Sequence, residues 1–118
     1  MSYEYRRSHR VSVTDWAEVL SYPEEYLLGI GHLKDISESG MAMVLPMRLQ
    51  PGVRVQVRVS TISCGRLRHF EFTGSVVRAD LREQGCMHGV QFFQMTQNER
   101  LSMMDYLCEV DHHYPAAS

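Results

Sequence analysis

Val53-Arg54-Val55-Gln56-Val57-Arg58-Val59 alternates four valines with three polar residues. Successive side chains of a strand point to opposite faces, so this run predicts a strand with its valines buried and Arg54, Gln56 and Arg58 in water. Leu49-Gln50-Pro51-Gly52 precedes it, with Pro and Gly where a type II turn wants them. A half-buried strand entered through a tight turn belongs to an antiparallel sheet.

The same signals repeat on both sides. Downstream, Ser60 to Gly65 reads as a loop, Leu67 to Thr73 as a strand and Gly74 as a bulge. Ser75 to Asp80 continues that strand, Arg82 to Gly85 turns, and Cys86 to Phe93 forms the last strand. Upstream, Val11 and Val13 alternate with Ser12 and Thr14, and Ala17, Val19 and Leu20 continue the strand after a kink near Asp15-Trp16. Ser21 to Glu25 is a turn around Pro23. Tyr26 to Leu33 reads as a second strand, Asp35 to Gly40 as a polar turn in which Gly40 supplies a positive φ, and Met41 to Leu45 as a third strand ended by Pro46. The period then changes. Thr96 with Glu99 three residues later is a capping box, and Leu101, Met104, Leu107 and Cys108 recur at helical spacing up to about Val110. The fold class expected is mainly β: a small antiparallel six-stranded barrel with a C-terminal helix over one opening.

A chain of 118 residues is one domain with room for a core. Residues 1–10 read as a flexible arginine-rich arm, 11–110 as barrel plus helix, and 111–118 as a polar tail. No apolar run approaches the ~20 residues needed to span a membrane, and no signal peptide is evident, so a cytoplasmic protein is expected. Three widely spaced cysteines, Cys64, Cys86 and Cys108, make neither a disulfide framework nor a zinc knuckle. Eleven of the twelve basic residues are Arg, which offers a planar fork for phosphate or guanine. The net charge of −2 and an acidic C-terminal end argue against bulk nucleic-acid binding.

Nothing in the chain reads as catalytic. No nucleophile elbow or phosphate loop occurs, and neither Cys64 nor Cys86 has a base placed beside it, so the chain is not expected to be an enzyme. His112-His113 beside Asp111 lacks the spacing of a metal site, and no metal is expected. Two features remain. Arg6, Arg7 and Arg10 lie close together on the arm, and Asp35 and Ser37 sit in the polar turn. Mobile guanidiniums facing a carboxylate and a hydroxyl suit a ligand with both a base edge and phosphates, a phosphorylated purine.

Those two features also carry a resemblance. Arg6-Arg7-Ser8-His9-Arg10 matches Arg-x-x-x-Arg, and Asp35-Ile36-Ser37-Glu38-Ser39-Gly40 matches Asp/Asn-x-Ser-x-x-Gly. Together they resemble the paired motifs of the PilZ family, bacterial receptor domains for cyclic di-GMP. The Pro51-Gly52 turn with its strand, Gly74-Ser75-Val76-Val77-Arg78 and Gly89-Val90-Gln91-Phe92 are similar to later family motifs, so the likeness spans roughly residues 6–110. It implies a split-barrel fold and a cyclic di-GMP site. Arg6 and Arg10 would hold phosphates and the Hoogsteen edge of guanine, and Arg7 would stack. Asp35 would read N1–H and N2–H₂, Ser37 would add a bond, Gly40 would turn the backbone, and Arg78 would join from the barrel wall. The expectation is a receptor or adaptor whose arm closes on the ligand and which acts in trans on an unidentified protein target, in motility or biofilm control. Two alternatives are a PilZ-like interaction module that binds no nucleotide and a small barrel that binds single-stranded nucleic acid. The second fits less well, because the strand from Val53 to Val59 has no aromatic stacking platform.

Overall fold

The computed structural model describes the backbone of residues 11–12, 15–63 and 65–113, with side chains from 15 to 62 and from 65 to 109. Among the described residues seven strands precede one helix: β1 Val11–Ser12, β2 Trp16–Ser21, β3 Leu27–Ile36, β4 Gly40–Leu45, β5 Arg54–Ser63, β6 Arg66–Arg82, β7 Gly85–Phe92 and α1 Gln97–His113. All pairings are antiparallel. The order β3-β2-β5-β6-β7-β4, with β4 returning to β3, closes six strands into a ring, as the alternation predicts. β1 pairs with β3 at Ile36 and Asp35, on the edge that β2 leaves at His32. The expected first strand is represented by β1 and β2 along one edge of β3, and Asp15, at the expected kink, belongs to neither.

The barrel interior holds the valines that the period-2 pattern assigns to it, but Gln56, expected in water, is 8% exposed because its amide is held against Glu71 at 3.0 Å. Val55, Val57 and Val59 are fully buried, with Val19, Leu33, Met43 and Leu45 around them. The type II turn forms: Val53 N–H donates to the Gln50 carbonyl at 3.1 Å, and Gly52 takes φ of 99°. No L side chain adopts that conformation without strain.

Several expected boundaries move. Ser60 to Ser63, expected in a loop, belong to β5, whose ladder with β6 is unbroken from Arg54↔Ser75 to Ser63↔Arg66. Thr61 continues the buried face of the valines, so the inward alternation simply goes on. β6 is one strand of 17 residues. Its irregularity lies between Val76 and Arg78, not at Gly74. Gly74 is needed for a close approach: a Cβ there would lie 2.3 Å from the Gln91 carbonyl oxygen. β3 extends to Ile36, so Asp35 belongs to a strand and not to the turn, which reduces to Ser37-Glu38-Ser39.

The helix begins at its capping box. Thr96 N–H donates to Glu99 Oε1 at 2.8 Å, and Glu99 N–H donates back to Thr96 Oγ1 at 3.2 Å. It runs to His113, three residues past the expected end, so the first part of the expected tail is helical. Its buried face matches the expected one only at Leu107, which packs half-buried against the core. Met103 and Tyr106 are buried at 2% and 0%, whereas Leu101 and Met104 are 57% and 53% exposed and Cys108 is exposed. Tyr106 decides the rotation. Its ring packs on Phe70 and Phe72 at 4.8 and 5.8 Å, and its hydroxyl donates to Asp15 Oδ2 at 2.7 Å. A large aromatic with a polar tip outweighs Leu101 and Met104 when its tip finds a buried acceptor. Among the described residues no helix is long and apolar enough to cross a membrane.

Candidate functional site

On the outer wall of the barrel, four strands bring one row of residues into line. Asp35 on β3 pairs with Ala42 on β4, Ala42 with Gly89 on β7, and Gly89 with Arg78 on β6. Three interstrand spacings separate the ends of the row, about 14 Å in all. A carboxylate and a guanidinium therefore face each other across a floor of Ala and Gly. The hollow holds about 450 Å³ and is bordered further by Ser39, Gly40 and Gln91.

Both walls owe their direction to bulges. Leu33 pairs with Met43 and Asp35 with Ala42, so Lys34 is an extra residue in β3. Without it Asp35 would alternate into the core. With it Asp35 faces outward and Ile36 fills the core at 0% exposure. Likewise Val76 pairs with Val90 and Arg78 with Gly89, so Val77 is extra in β6. Val76 stays buried while Val77 and Arg78 both project from the wall. A bulge re-aims side chains at the cost of one unpaired residue. Here two bulges aim two opposite charges at one floor.

The expected site residues divide. Asp35, Gly40 and Arg78 are brought together around the hollow. Ser37 is not on its surface: it is 1% exposed and its hydroxyl lies inside the turn, 3.3 Å from both Ser39 Oγ and the Ser39 N–H and 3.4 Å from the Gly40 carbonyl. Its role in this structure is to close the β3–β4 turn, while Ser39 reaches the rim. Gly40 is present for a different reason than a positive φ. A Cβ on it would lie 2.3 Å from the Val90 carbonyl oxygen, so its bare backbone lets β4 start against β7. Arg6, Arg7 and Arg10 lie outside the described residues.

Ala42, Val77, Gly89 and Gln91 were not singled out as site residues by sequence reasoning. The available signal was the small residues themselves. Ala42 stands between Met41 and Met43, and Gly89 between His88 and Val90, each interrupting otherwise bulky strands on the outward position.

Elsewhere two arginines of the basic wall are paired with carboxylates. Arg58 bonds Glu71 at 3.0 Å and reaches Glu18 at 3.4 Å, and Gln56 also bonds Glu71. The bond to Glu71 holds the Arg58 guanidinium above its ordinary range. Arg68 bonds Asp105 and Glu109 of α1 at 2.8 and 3.1 Å, and the bond to Asp105 raises it in the same way. These arginines serve the fold, and a polyanion would have to compete with their carboxylates. No group of three or more His, Cys, Asp or Glu able to hold a metal occurs among the described residues.

The model for the PilZ domain matches residues 4–108, which is most of the chain. The chain belongs to the PilZ family. Solved structures share the fold. The PilZ domain of YcgR from Escherichia coli, solved with c-di-GMP, superposes with a TM-score of 0.69 at 16% identity, covering 93% of this chain and 94% of that one. The PilZ domain of CeSA from a cellulose-synthesizing bacterium gives 0.66 at 19% identity, covering 88% and 99%. The inhibitor of motility MotI/DgrA of Bacillus subtilis gives 0.67 at 15% identity, with 98% of this PilZ chain covering 54% of that protein. A comparison with curated proteins finds no match.

Proposed function

We propose that this PilZ domain is a receptor for cyclic di-GMP and that the Asp35–Arg78 hollow reads one of its bases. The observation that carries this reading is the aligned row Asp35–Ala42–Gly89–Arg78. It presents a hydrogen-bond acceptor and a planar cation about one nucleotide's reach apart, over a floor with almost no side chain. Asp35 accepts from guanine N1–H and N2–H₂, a donor pair that adenine lacks. Arg78 faces the opposite end of the ring system. Arg6, Arg7 and Arg10 close from the arm on the phosphates and the Hoogsteen edge, where a bidentate Arg suits O6 and N7. Two phosphate charges drawing in three arginines make the arm the moving part, and its closure is the change that a protein target would sense. On this reading the domain binds and signals, and it catalyses nothing.

Titration calorimetry of the full chain tests this, with cyclic di-GMP set against GTP, cyclic GMP and a short single-stranded oligonucleotide. Cyclic di-GMP alone should bind. Arg6→Ala, Arg10→Ala and Asp35→Ala should each weaken it by about 1–3 kcal/mol. Absence of heat with cyclic di-GMP would favour an interaction module that binds no nucleotide. Preference for the oligonucleotide would favour the nucleic-acid reading, which the carboxylate-bound Arg58 and Arg68 disfavour.

A further inference from the structure

β6, at 17 residues, outruns its neighbours β5 at 10 and β7 at 8. It is paired with β5 down to Ser63↔Arg66, whereas its pairing with β7 starts only at Gly74↔Phe92. One further bond on that side runs from the Phe93 N–H to the Thr73 carbonyl at 3.0 Å. Successive residues of an antiparallel strand turn their main-chain groups to opposite neighbours. Val76 N–H donates to Val53 on the β5 side, and Thr73 accepts from Phe93 on the β7 side. Even-numbered residues of this stretch therefore serve β5, and odd-numbered ones face the other way. The N–H and C=O groups of Leu67, His69 and Glu71 lie along an edge, and among the described residues no main chain pairs with them there.

That edge is one bank of a groove of about 570 Å³. Arg68, His69 and Phe70 line it on β6, and Leu101, Met104 and Cys108 line it on α1. Arg68 crosses to Asp105 and Glu109 and ties the banks together. The rotation that buries Tyr106 leaves Leu101 and Met104 more than half exposed on the helix bank. An open strand edge beside an apolar helix face is a template for one more strand. The edge dictates an extended backbone, and the five residues from Leu67 to Glu71 offer it about 17 Å. The helix dictates the side chains. Leu101 and Met104 match apolar residues on the set that turns toward α1. On α1, Glu99, Asp105, Glu109 and Asp111 stand against Arg100, and Arg68 offsets only part of that excess. Charge complementarity therefore selects Lys or Arg for the alternate set, which stays in water.

We propose that the groove between the β6 edge and α1 docks an extended segment of a protein target, apolar and basic at alternate positions, which joins the sheet as a strand beside Leu67 to Glu71. Main-chain bonds to the edge supply affinity, and the helix bank supplies selection. The groove shares no lining residue with the Asp35–Arg78 hollow, and the inference does not depend on what that hollow binds.

Amide hydrogen exchange and heteronuclear NMR of the full chain test it, with an end-blocked heptapeptide of alternating Lys and Val as the probe. In the free chain the Leu67, His69 and Glu71 amides should exchange fast, while β5 protects those of Arg68, Phe70 and Phe72. The probe should shift and protect the three odd-numbered amides. An analogue with Glu for Lys should bind less well, and a fully N-methylated analogue, which has no main-chain donor, should not bind. His69→Pro removes one donor from the edge and none from the β5 ladder, and should weaken the probe by about 2- to 12-fold, the range of one net hydrogen bond. Met104→Lys should weaken it at an unchanged unfolding temperature, since the side chain is exposed, and Ile30→Lys, at a similarly exposed position on β3, should not. Protection of the odd-numbered amides in the free chain would show the edge already covered, by a second copy where protection rises with protein concentration. That result, equal binding of either analogue, wild-type affinity in Met104→Lys or no shift at about 1 mM probe would each overturn the docking site.

Discussion

Tyr106→Phe isolates the bond that fixes the helix on the barrel. The phenol donates to Asp15 Oδ2 at 2.7 Å, with Tyr106 at 0% and Asp15 at 8% exposure. The substitution leaves the ring with its contacts to Phe70 and Phe72, so little apolar burial is lost. What disappears includes the short hydrogen bond to a buried carboxylate. Such bonds contribute about 1.5–3 kcal/mol, more than a neutral pair, because the acceptor cannot turn to water instead. In a domain of this size about 2 kcal/mol lowers the unfolding temperature by roughly 6–12 °C. Urea unfolding followed by far-UV circular dichroism gives the free energy directly, with Asp15→Asn and the double variant closing a cycle. Trp16 is 66% exposed and is a poor reporter of the core. A coupling energy of about 1 kcal/mol or more is expected from the bond strengths above. If Tyr106→Phe stayed within about 0.5 kcal/mol of the wild type, the size of an unremarkable surface substitution, Tyr106 would be acting as an aromatic wedge and the account of the helix rotation would fall.

Three further outcomes follow from the same structure. His88 is fully buried, accepts the Leu49 N–H on Nε2 at 2.9 Å and places Nδ1 3.0 Å from the Cys86 carbonyl, which fits the neutral ring with its proton on Nδ1. Burial pushes its pKa below the ordinary 6.5, so below about pH 6.5 the unfolded chain takes up a proton that the folded chain resists. Stability then falls as the pH drops, by at most about 1.4 kcal/mol per pH unit for this one group. Urea midpoints at pH 7.5 and 5.5 should differ more in the wild type than in His88→Gln, and equal differences would clear His88 of the effect. Gly40→Ala should destabilise the fold by about 1–3 kcal/mol, because its methyl overlaps the Val90 carbonyl and forces β4 from β7; an unchanged urea midpoint would show that the strands shift freely. Thr96→Ala removes the acceptor for the Glu99 N–H and should cost about 1 kcal/mol in the same assay, whereas no cost would mean that water replaces the cap without loss.

Much of the fold was legible because the signals that specify it are short-range. The Pro51-Gly52 turn, the alternating valines and the Thr96–Glu99 box each depend on neighbours within a few residues, and each forms as read. The strand boundaries that moved depend on distant partners. β5 continues to Ser63 because β6 pairs with it that far, and Gly74 is bare because β7 passes over it. The helix turned a different face inward because Asp15, 91 residues away, supplied the acceptor for Tyr106.

The candidate site shows the same division. Asp35, Gly40 and Arg78 were identifiable as a pattern of residue types, and Ser37 was identifiable only as part of that pattern. Sequence alone determined that these residues exist at this spacing and that a barrel would carry them. Which of them share a surface was decided by tertiary pairing. A slip of one residue reverses the face of every side chain in a strand, and the bulges at Lys34 and Val77 are two such slips. Register is the sum of ladder bonds and core packing over four strands, and no local stretch encodes it. That sum turned Asp35 and Arg78 outward onto Ala42 and Gly89, and turned Ser37 inward to close the turn.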